Sequence, residues 1–271
     1  MTALLSPEQK LAGSLVPLFA LRGKYDLGIG DVAALREAVE WAAAQGLGFL
    51  QVLPVNLTGG DHSPYNLLSS MALEPCTLSY HPNDLPDLSL AEYERMCRES
   101  PPKPGGTVDY PAVKALQKKL MESAWEAFAA TPKKSARWKQ FHSFQEAEAE
   151  WLDPFTLHQA LSEHLQLPEV LSEWPSEVGS FAEAGQWLEQ QSKSEKKTIA
   201  GRRAFFSYGQ WRAHQQWREL RQFANSKGVA LIGDVPVGVS IHSVDVWTES
   251  HLFDLSRSCG APPEKVFQAD P

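Results

Sequence analysis

Apolar residues recur along the chain in two rhythms, short runs and helix-spaced stripes, and their order predicts the architecture. Ser14-Leu15-Val16-Pro17-Leu18-Phe19 reads as a first strand, followed by a polar, glycine-containing loop from Arg22 to Gly30. Asp31 then caps a helix whose Val32, Leu35, Val39 and Ala42 share one face, and Gly46 ends it. Phe49 to Leu53 reads as a second strand, stopped by Pro54. After Lys227-Gly228, the run Val229-Ala230-Leu231-Ile232 is apolar and β-branched, as strands buried on both faces are. Strand, helix and strand joined by short connections make a βαβ unit, which implies a parallel sheet.

Between the second and third strands the rhythm changes. Val55 to Pro82 has no periodicity, and loops of that length in compact domains are usually functional. From Asn83 to about Ala200 the pattern is almost all helical. Ser89-Leu90-Ala91-Glu92 reads as a capping box, and Pro111 heads a run with Val113, Leu116, Leu120 and Phe128. Asp153-Pro154 starts another run with Phe155, Leu157, Leu161 and Leu165, and Ser100 to Gly106 is a linker rich in proline and glycine. A long helix from about Arg203 to Ser226 leads into the third strand, and Ser6-Pro7-Glu8-Gln9 predicts a short leader helix.

The expected division is 1–82, a βαβ part with a substrate loop; 83–200, a helical subdomain inserted between the second and third strands; and 201–271, a helix, the third strand and its loops. Closing a (β/α)₈ barrel takes eight strand-helix units and about 250 residues without insertions. Three strands do not close one, so the sheet is either small and open or the first part of something larger. The absence of a capping helix at Phe267-Gln268-Ala269-Asp270-Pro271 favours the second expectation.

Composition narrows the function. A net charge of −8 over 271 residues argues against nucleic acid or an anionic membrane as main partner. The basic stretch Lys193 to Arg203 reads as a solvated loop. Met1 to Gly13 lacks the features of a signal peptide, and no apolar run is long enough to span a bilayer. Cys76, Cys97 and Cys259 are scattered, which fits free thiols in a reducing cytoplasm. Most of the nine tryptophans fall at helix-face spacing and belong to a core.

No metal, nucleotide or serine-hydrolase signature survives inspection. The eight histidines show no ligand spacing, and neither H-E-x-x-H nor G-x-S-x-G nor a P-loop occurs. Gly28-Ile29-Gly30-Asp31-Val32-Ala33 fits G-x-G-x-x-A, but the first strand ends well before Gly28 and no acid ends the second strand to hold a ribose. No cofactor is expected.

What remains is a carboxylate, Asp234, at the carboxyl end of a buried strand, where α/β enzymes place substrate-contacting residues. Asp61-His62-Ser63-Pro64-Tyr65 lies in the loop after the second strand. Adjacent parallel strands bring these loops to one rim, and a phenol, a hydroxyl and a carboxylate there suit a polyhydroxylated ligand. His242 reads as an ordinary loop histidine.

Several blocks together resemble the 4-alpha-glucanotransferases (amylomaltase, or disproportionating enzyme), glycoside hydrolase family 77. They are Tyr25-Asp26-Leu27-Gly28-Ile29-Gly30-Asp31, Gln51-Val52-Leu53-Pro54, Ser63-Pro64-Tyr65, and Gly233-Asp234-Val235-Pro236-Val237-Gly238-Val239 with Ser243-Val244-Asp245-Val246-Trp247. Gly260-Ala261-Pro262-Pro263 completes the set, and with Gly238 looks most like the branch of the plant cytosolic disproportionating enzymes. The resemblance implies a (β/α)₈ enzyme, here its amino-terminal part, that moves segments of α-1,4-glucans or maltooligosaccharides to new acceptor sugars by a retaining mechanism. Two carboxyl groups about 5 Å apart do such chemistry. By the same resemblance Tyr65 lines the donor sugar site, Ser63 is a substrate-binding residue, Asp234 binds sugar hydroxyls, Asp245 and Trp247 shape the rim, and Pro262-Pro263 guides the acceptor. The catalytic carboxylates are expected beyond Pro271, so no residue here is assigned a catalytic role. This sequence departs from the family pattern at His62, Asn66 and Glu264. The alternative expectation is a non-catalytic glucan-binding or regulatory protein derived from the same family.

Overall fold

The computed structural model describes residues 10–103 and 105–257. Three parallel strands, β1 (Gly13–Val16), β2 (Phe49–Val52) and β3 (Ala230–Ile232), lie in the order β1-β2-β3. Leu50 pairs with Ser14 on one side and Leu231 on the other, and Val16 pairs with Val52. Helix α1 (Val32–Ala44) connects β1 to β2, and α7 (Lys193–Ser226) precedes β3. The chain is therefore an α/β protein with a parallel sheet.

Both helices cover the same face of that sheet. Leu50 and Val52 join Val32, Leu35, Val39 and Ala42 of α1 and Leu220 and Ala224 of α7 in one apolar core. The opposite face carries the in-register row Leu15, Gln51 and Ile232, and Leu15 is 52% exposed. Strand residues alternate between faces, so the interleaved set that packs on α1 and α7 leaves this second set less covered, with Gln51 and Ile232 half-buried.

The larger core is helical. Helices α2 (Leu90–Glu99), α3 (Tyr110–Ala129), α4 (Ala136–Ala147), α5 (Ala149–Leu165), α6 (Phe181–Gln190) and the amino-terminal half of α7 enclose Leu120, Phe128, Phe141, Leu161, Ile199 and Tyr208. The short helix α8 (Val244–Glu249) joins it through Val244 and Trp247. Eight of the nine tryptophans pack in or against a core, while Trp41 is exposed.

Several boundaries differ from expectation, each for a local reason. The first strand ends at Val16, because Pro17 has no N–H for a ladder, and Leu18–Ala20 form a 3-10 turn. Helix α5 begins at Ala149, so Pro154 lies inside it; the buried face already starts at Leu152, upstream of the proline. Ser89 accepts from Glu92 N at 3.2 Å, but Glu92 turns to Arg95 and does not return the bond, so Ser89 is half a box. The reciprocal box is Ser192 with Glu195. It starts α7 ten residues before the expected Arg203, so Lys193 to Arg203 is helix and not loop, and the division expected at residue 200 falls inside α7. The leader helix at Ser6, Cys259, the Gly260 to Pro263 block and Glu264 lie outside the described residues.

The glycines of the rejected nucleotide pattern have a packing role. A Cβ on Gly30 would stand 1.9 Å from the Leu18 carbonyl oxygen, and Gly28 has φ +92°. Asp31 follows, caps α1 through Ala34 N at 2.8 Å, and is only 3% exposed. Burial, with Asp26 and Asp84 nearby, pushes its carboxyl from 3.8 up to about 7. The folded protein then holds a proton that the unfolded chain releases, so stability is greatest below pH 4 as far as this group is concerned and falls as pH rises to about 7. At about 1.4 kcal/mol per pH unit the loss is at most about 4 kcal/mol. Asp31→Asn keeps the cap and removes the charge. It is expected to raise the melting temperature at pH 8 and to flatten the pH dependence of urea unfolding between pH 4 and 7; a variant less stable than wild type at pH 8 would contradict this.

Candidate functional site

Tyr65 and Asp234 meet at the carboxyl ends of β2 and β3. The Tyr65 hydroxyl donates to Asp234 Oδ2 at 2.8 Å, and half of the tyrosine remains exposed. The accepting carboxylate holds the phenolic proton in place and raises the Tyr65 pKa above the ordinary tyrosine value. Asp234 is brought here by the break after β3, where Gly233 and Pro236 end the ladder. A cleft of about 480 Å³ adjoins it, walled by Asn56, Leu73, Trp217 and Arg218 among others. A half-exposed ring and a carboxylate with one oxygen committed can together offer a sugar a stacking face and hydrogen-bond acceptors.

Tyr65 is aimed by the turn before it. Asp61 accepts from Ser63 N at 3.1 Å and from the Asn66 side chain at 2.9 Å, and the Asn66 bond holds its carboxyl below the usual range. Ser63 Oγ accepts from Tyr65 N at 3.4 Å, so this hydroxyl helps to shape the turn. His62 adopts φ +56°, unusual for a side chain with a Cβ, and its ring stacks on Tyr110 at 3.8 Å. Burial holds its imidazole below the ordinary pKa. Glu169 accepts from Gly60 N at 2.8 Å, tying the turn to the helical block.

The other two expected site residues are engaged elsewhere. Asp245 binds Ser70 through both oxygens, from the backbone N–H at 3.0 Å and from the hydroxyl. With Ser240 N on Leu67 O at 2.9 Å and Val244 N on Leu68 O at 2.8 Å, it fastens the segment after β3 to the loop after β2. Trp247 is 2% exposed, donates from Nε1 to Val178 O at 2.9 Å, and packs against Trp174 and Phe181. Its ring therefore does not face solvent. His242 accepts from Leu171 N at 3.4 Å, a structural contact.

Sequence reasoning missed the residues that hold the 55–82 loop. Gln210 accepts from Leu73 N and donates to Leu73 O, each at 2.9 Å. Gln216 does the same to Ser79, at 2.9 and 2.8 Å. Both glutamines are on α7 and both are buried; each pairs with the N–H and C=O of one backbone residue as a neighbouring strand would, and Gln216 also donates to Asp84 O at 3.2 Å. Glu74 accepts from Thr58 N, Thr58 Oγ1 and Cys76 N at 3.0 to 3.2 Å. The available signal was the two glutamines among the apolar positions of a helix, where a polar residue needs a partner.

Solved structures share this fold. The amylomaltase from Streptococcus agalactiae in complex with acarbose matches with a TM-score of 0.80 at 24% identity, over 97% of this chain and 52% of that one. The amylomaltase from Corynebacterium glutamicum matches with a TM-score of 0.70 at 18% identity, over 95% and 35%. The family profile described as 4-alpha-glucanotransferase, glycoside hydrolase 77, matches residues 16–269. The chain belongs to that family. The 4-alpha-glucanotransferase of Chlamydia caviae is 32% identical over 93% of this chain and 46% of its own length. The rice enzyme 4-alpha-glucanotransferase DPE2 (Oryza sativa subsp. japonica) is 30% identical over 93% and 26%. Identity thus does not single out the plant branch. The chain spans about half the length, or less, of the curated relatives it matches.

Loss of the glutamine clamps should be measurable. Gln216→Leu strands the N–H and C=O of buried Ser79 and is expected to cost about 3 kcal/mol in urea unfolding; Gln210→Leu, whose partner Leu73 is partly exposed, about 2 kcal/mol. Equal costs below about 1 kcal/mol would show that the clamps contribute little.

Proposed function

We propose that this chain supplies sugar-binding surface to a 4-alpha-glucanotransferase that transfers α-1,4-glucan segments with retention of configuration. The observation that carries the reading is the 2.8 Å bond between Tyr65 and Asp234 at the ends of adjacent parallel strands. In this reading Tyr65 packs its ring on a glucose unit and Asp234 accepts from sugar hydroxyls. Ser63 orders the turn, while Asp245 and Trp247 act from behind the rim: Asp245 latches the two loops and Trp247 anchors α8 in the helical core. The acarbose bound in the streptococcal amylomaltase supports a maltooligosaccharide as ligand.

The sheet supports assigning it to a (β/α)₈ barrel. Helices on one face among the described residues, strand order β1-β2-β3 and a partly exposed row at Leu15, Gln51 and Ile232 are what one arc of such a barrel presents. Val235 and Val237, flanking Pro236, are 84% and 105% exposed, which is unusual for apolar side chains beside a binding rim and fits a surface that further barrel elements cover. On this reading the nucleophile and the acid/base come from such elements, and these residues bind sugar without cleaving it.

Two measurements test the reading. Calorimetric titration of the chain with maltotetraose or acarbose should give saturable binding, weakened about tenfold by Asp234→Ala and less by Tyr65→Phe, which keeps the ring and loses one hydrogen bond. Unchanged affinity in both variants would sink the site. The chain alone should release no glucose from maltotriose; release that persists after host enzymes are excluded would instead give this chain its own cleavage machinery.

A further inference from the structure

A second cavity, of about 480 Å³, lies between α3, α5 and α7 and is closed on its remaining side by part of the 55–82 loop. Met121, Phe155, Phe205 and Phe206 form an apolar side of its wall, and the polar side carries Glu163, paired with Lys118 and Arg202, and Glu74, committed to Thr58 and Cys76; its volume falls within the range of about 300–1,000 Å³ typical of small-molecule sites. None of Ser63, Tyr65, Asp234 or Asp245 lines it.

Two features of its wall are unfavourable to the fold and have no local compensation. Gly209 lies in the interior of α7, where glycine is a poor helix former. A Cβ there would meet no atom within 4 Å, and the residue does not have a positive φ. Neither close packing nor backbone conformation calls for glycine; what its missing side chain leaves is room in the cavity. On the α3 wall, Gln117 is 3% exposed, and its Nε2 donates to the Cys76 carbonyl at 3.2 Å. Its Oε1 has no partner among the described residues. A buried amide acceptor left open is destabilising. Lys114, one turn earlier on α3, also lines the cavity and makes no ion pair among the described residues, whereas Lys118 is held by Glu163 at 2.6 Å.

We propose that this cavity binds a small organic anion with an aromatic body. The rings lie against Phe155, Phe205 and Phe206, in the space Gly209 leaves. A donor on the ligand satisfies Gln117 Oε1, and the anionic group pairs with Lys114. The occupant would touch Glu74 and Gln210, the side chains that hold the loop carrying Tyr65.

The probe is 8-anilinonaphthalene-1-sulfonate, which joins aromatic rings, an N–H donor and a sulfonate. Met121 lines the cavity, whereas Met71 is exposed and Met96 sits on α2, neither of them in its wall. With carbon-13 methyl-labelled methionine, one equivalent of probe should shift the Met121 signal saturably and leave Met71 and Met96 in place. Gly209→Leu, which fills the space, should abolish the shift. Lys114→Gln should weaken binding about fivefold or more, and should not affect the uncharged analogue N-phenyl-1-naphthylamine. A probe that moves Met71 in parallel, that binds Gly209→Leu as well as wild type, or that leaves Met121 unmoved at millimolar concentration overturns the proposal. Should Gly209→Leu fail to fold, the wild-type methionine spectrum and the Lys114→Gln comparison decide it.

Discussion

The two glutamine clamps on α7 are the constraint on which the site depends. The stretch from Val55 to Pro82 has no strand ladder of its own beyond the isolated bridges Asn56–Leu73 and Thr58–Leu67, yet much of it is buried. Buried peptide groups must be paired, and here side chains supply the partners. Gln210 and Gln216 act as substitute strand residues for Leu73 and Ser79, and Glu74 gathers three donors. The position of Tyr65 follows from this, since its turn is built on a loop whose far side is fixed to a helix.

The electrostatics of the rim rest on the same support. Asp234 has a hydrogen-bond donor at its side only because the loop delivers the Tyr65 hydroxyl to it. Asp245 fixes the spacing from the other direction by holding Ser70. Carboxylates in this protein thus divide by neighbourhood. Asp31 is buried near Asp26 and Asp84 and is raised; Asp61 accepts from Asn66 and Ser63 and is lowered.

How much of this could be read from the sequence varied with the physics of each element. The strands, α1 and the convergence of the Tyr65 and Asp234 loops on one rim were legible because β-branched runs, a capping aspartate and parallel order each carry a local or topological signal, while the direct bond between the two side chains was not. The start of α7 was also written there, in Ser192-x-x-Glu195, but the density of charge from Lys193 to Arg203 resembles a loop when Ile199 is the one residue that turns inward. Pro154 misled because a proline near a helix start normally marks it, while here the corner at Glu148 does. Trp247 was illegible for another reason. Helix α8 is too short to have a periodicity, and only the tertiary contact with Val178 shows that the ring points inward. The glutamine clamps depend on partners far away in sequence, which no local pattern records.

Helix α7 contributes to both apolar cores. Its early and middle turns place Ile199, Tyr208 and Trp211 among the helices, and its last turns place Leu220 and Ala224 against the sheet, with no proline between. At about 1.5 Å per residue its 34 residues extend some 50 Å. The helical block and the strands therefore lack an independent hinge along this connection: a tilt of one is passed through a continuous rod to the other, and the rim at Tyr65 and Asp234 moves with both.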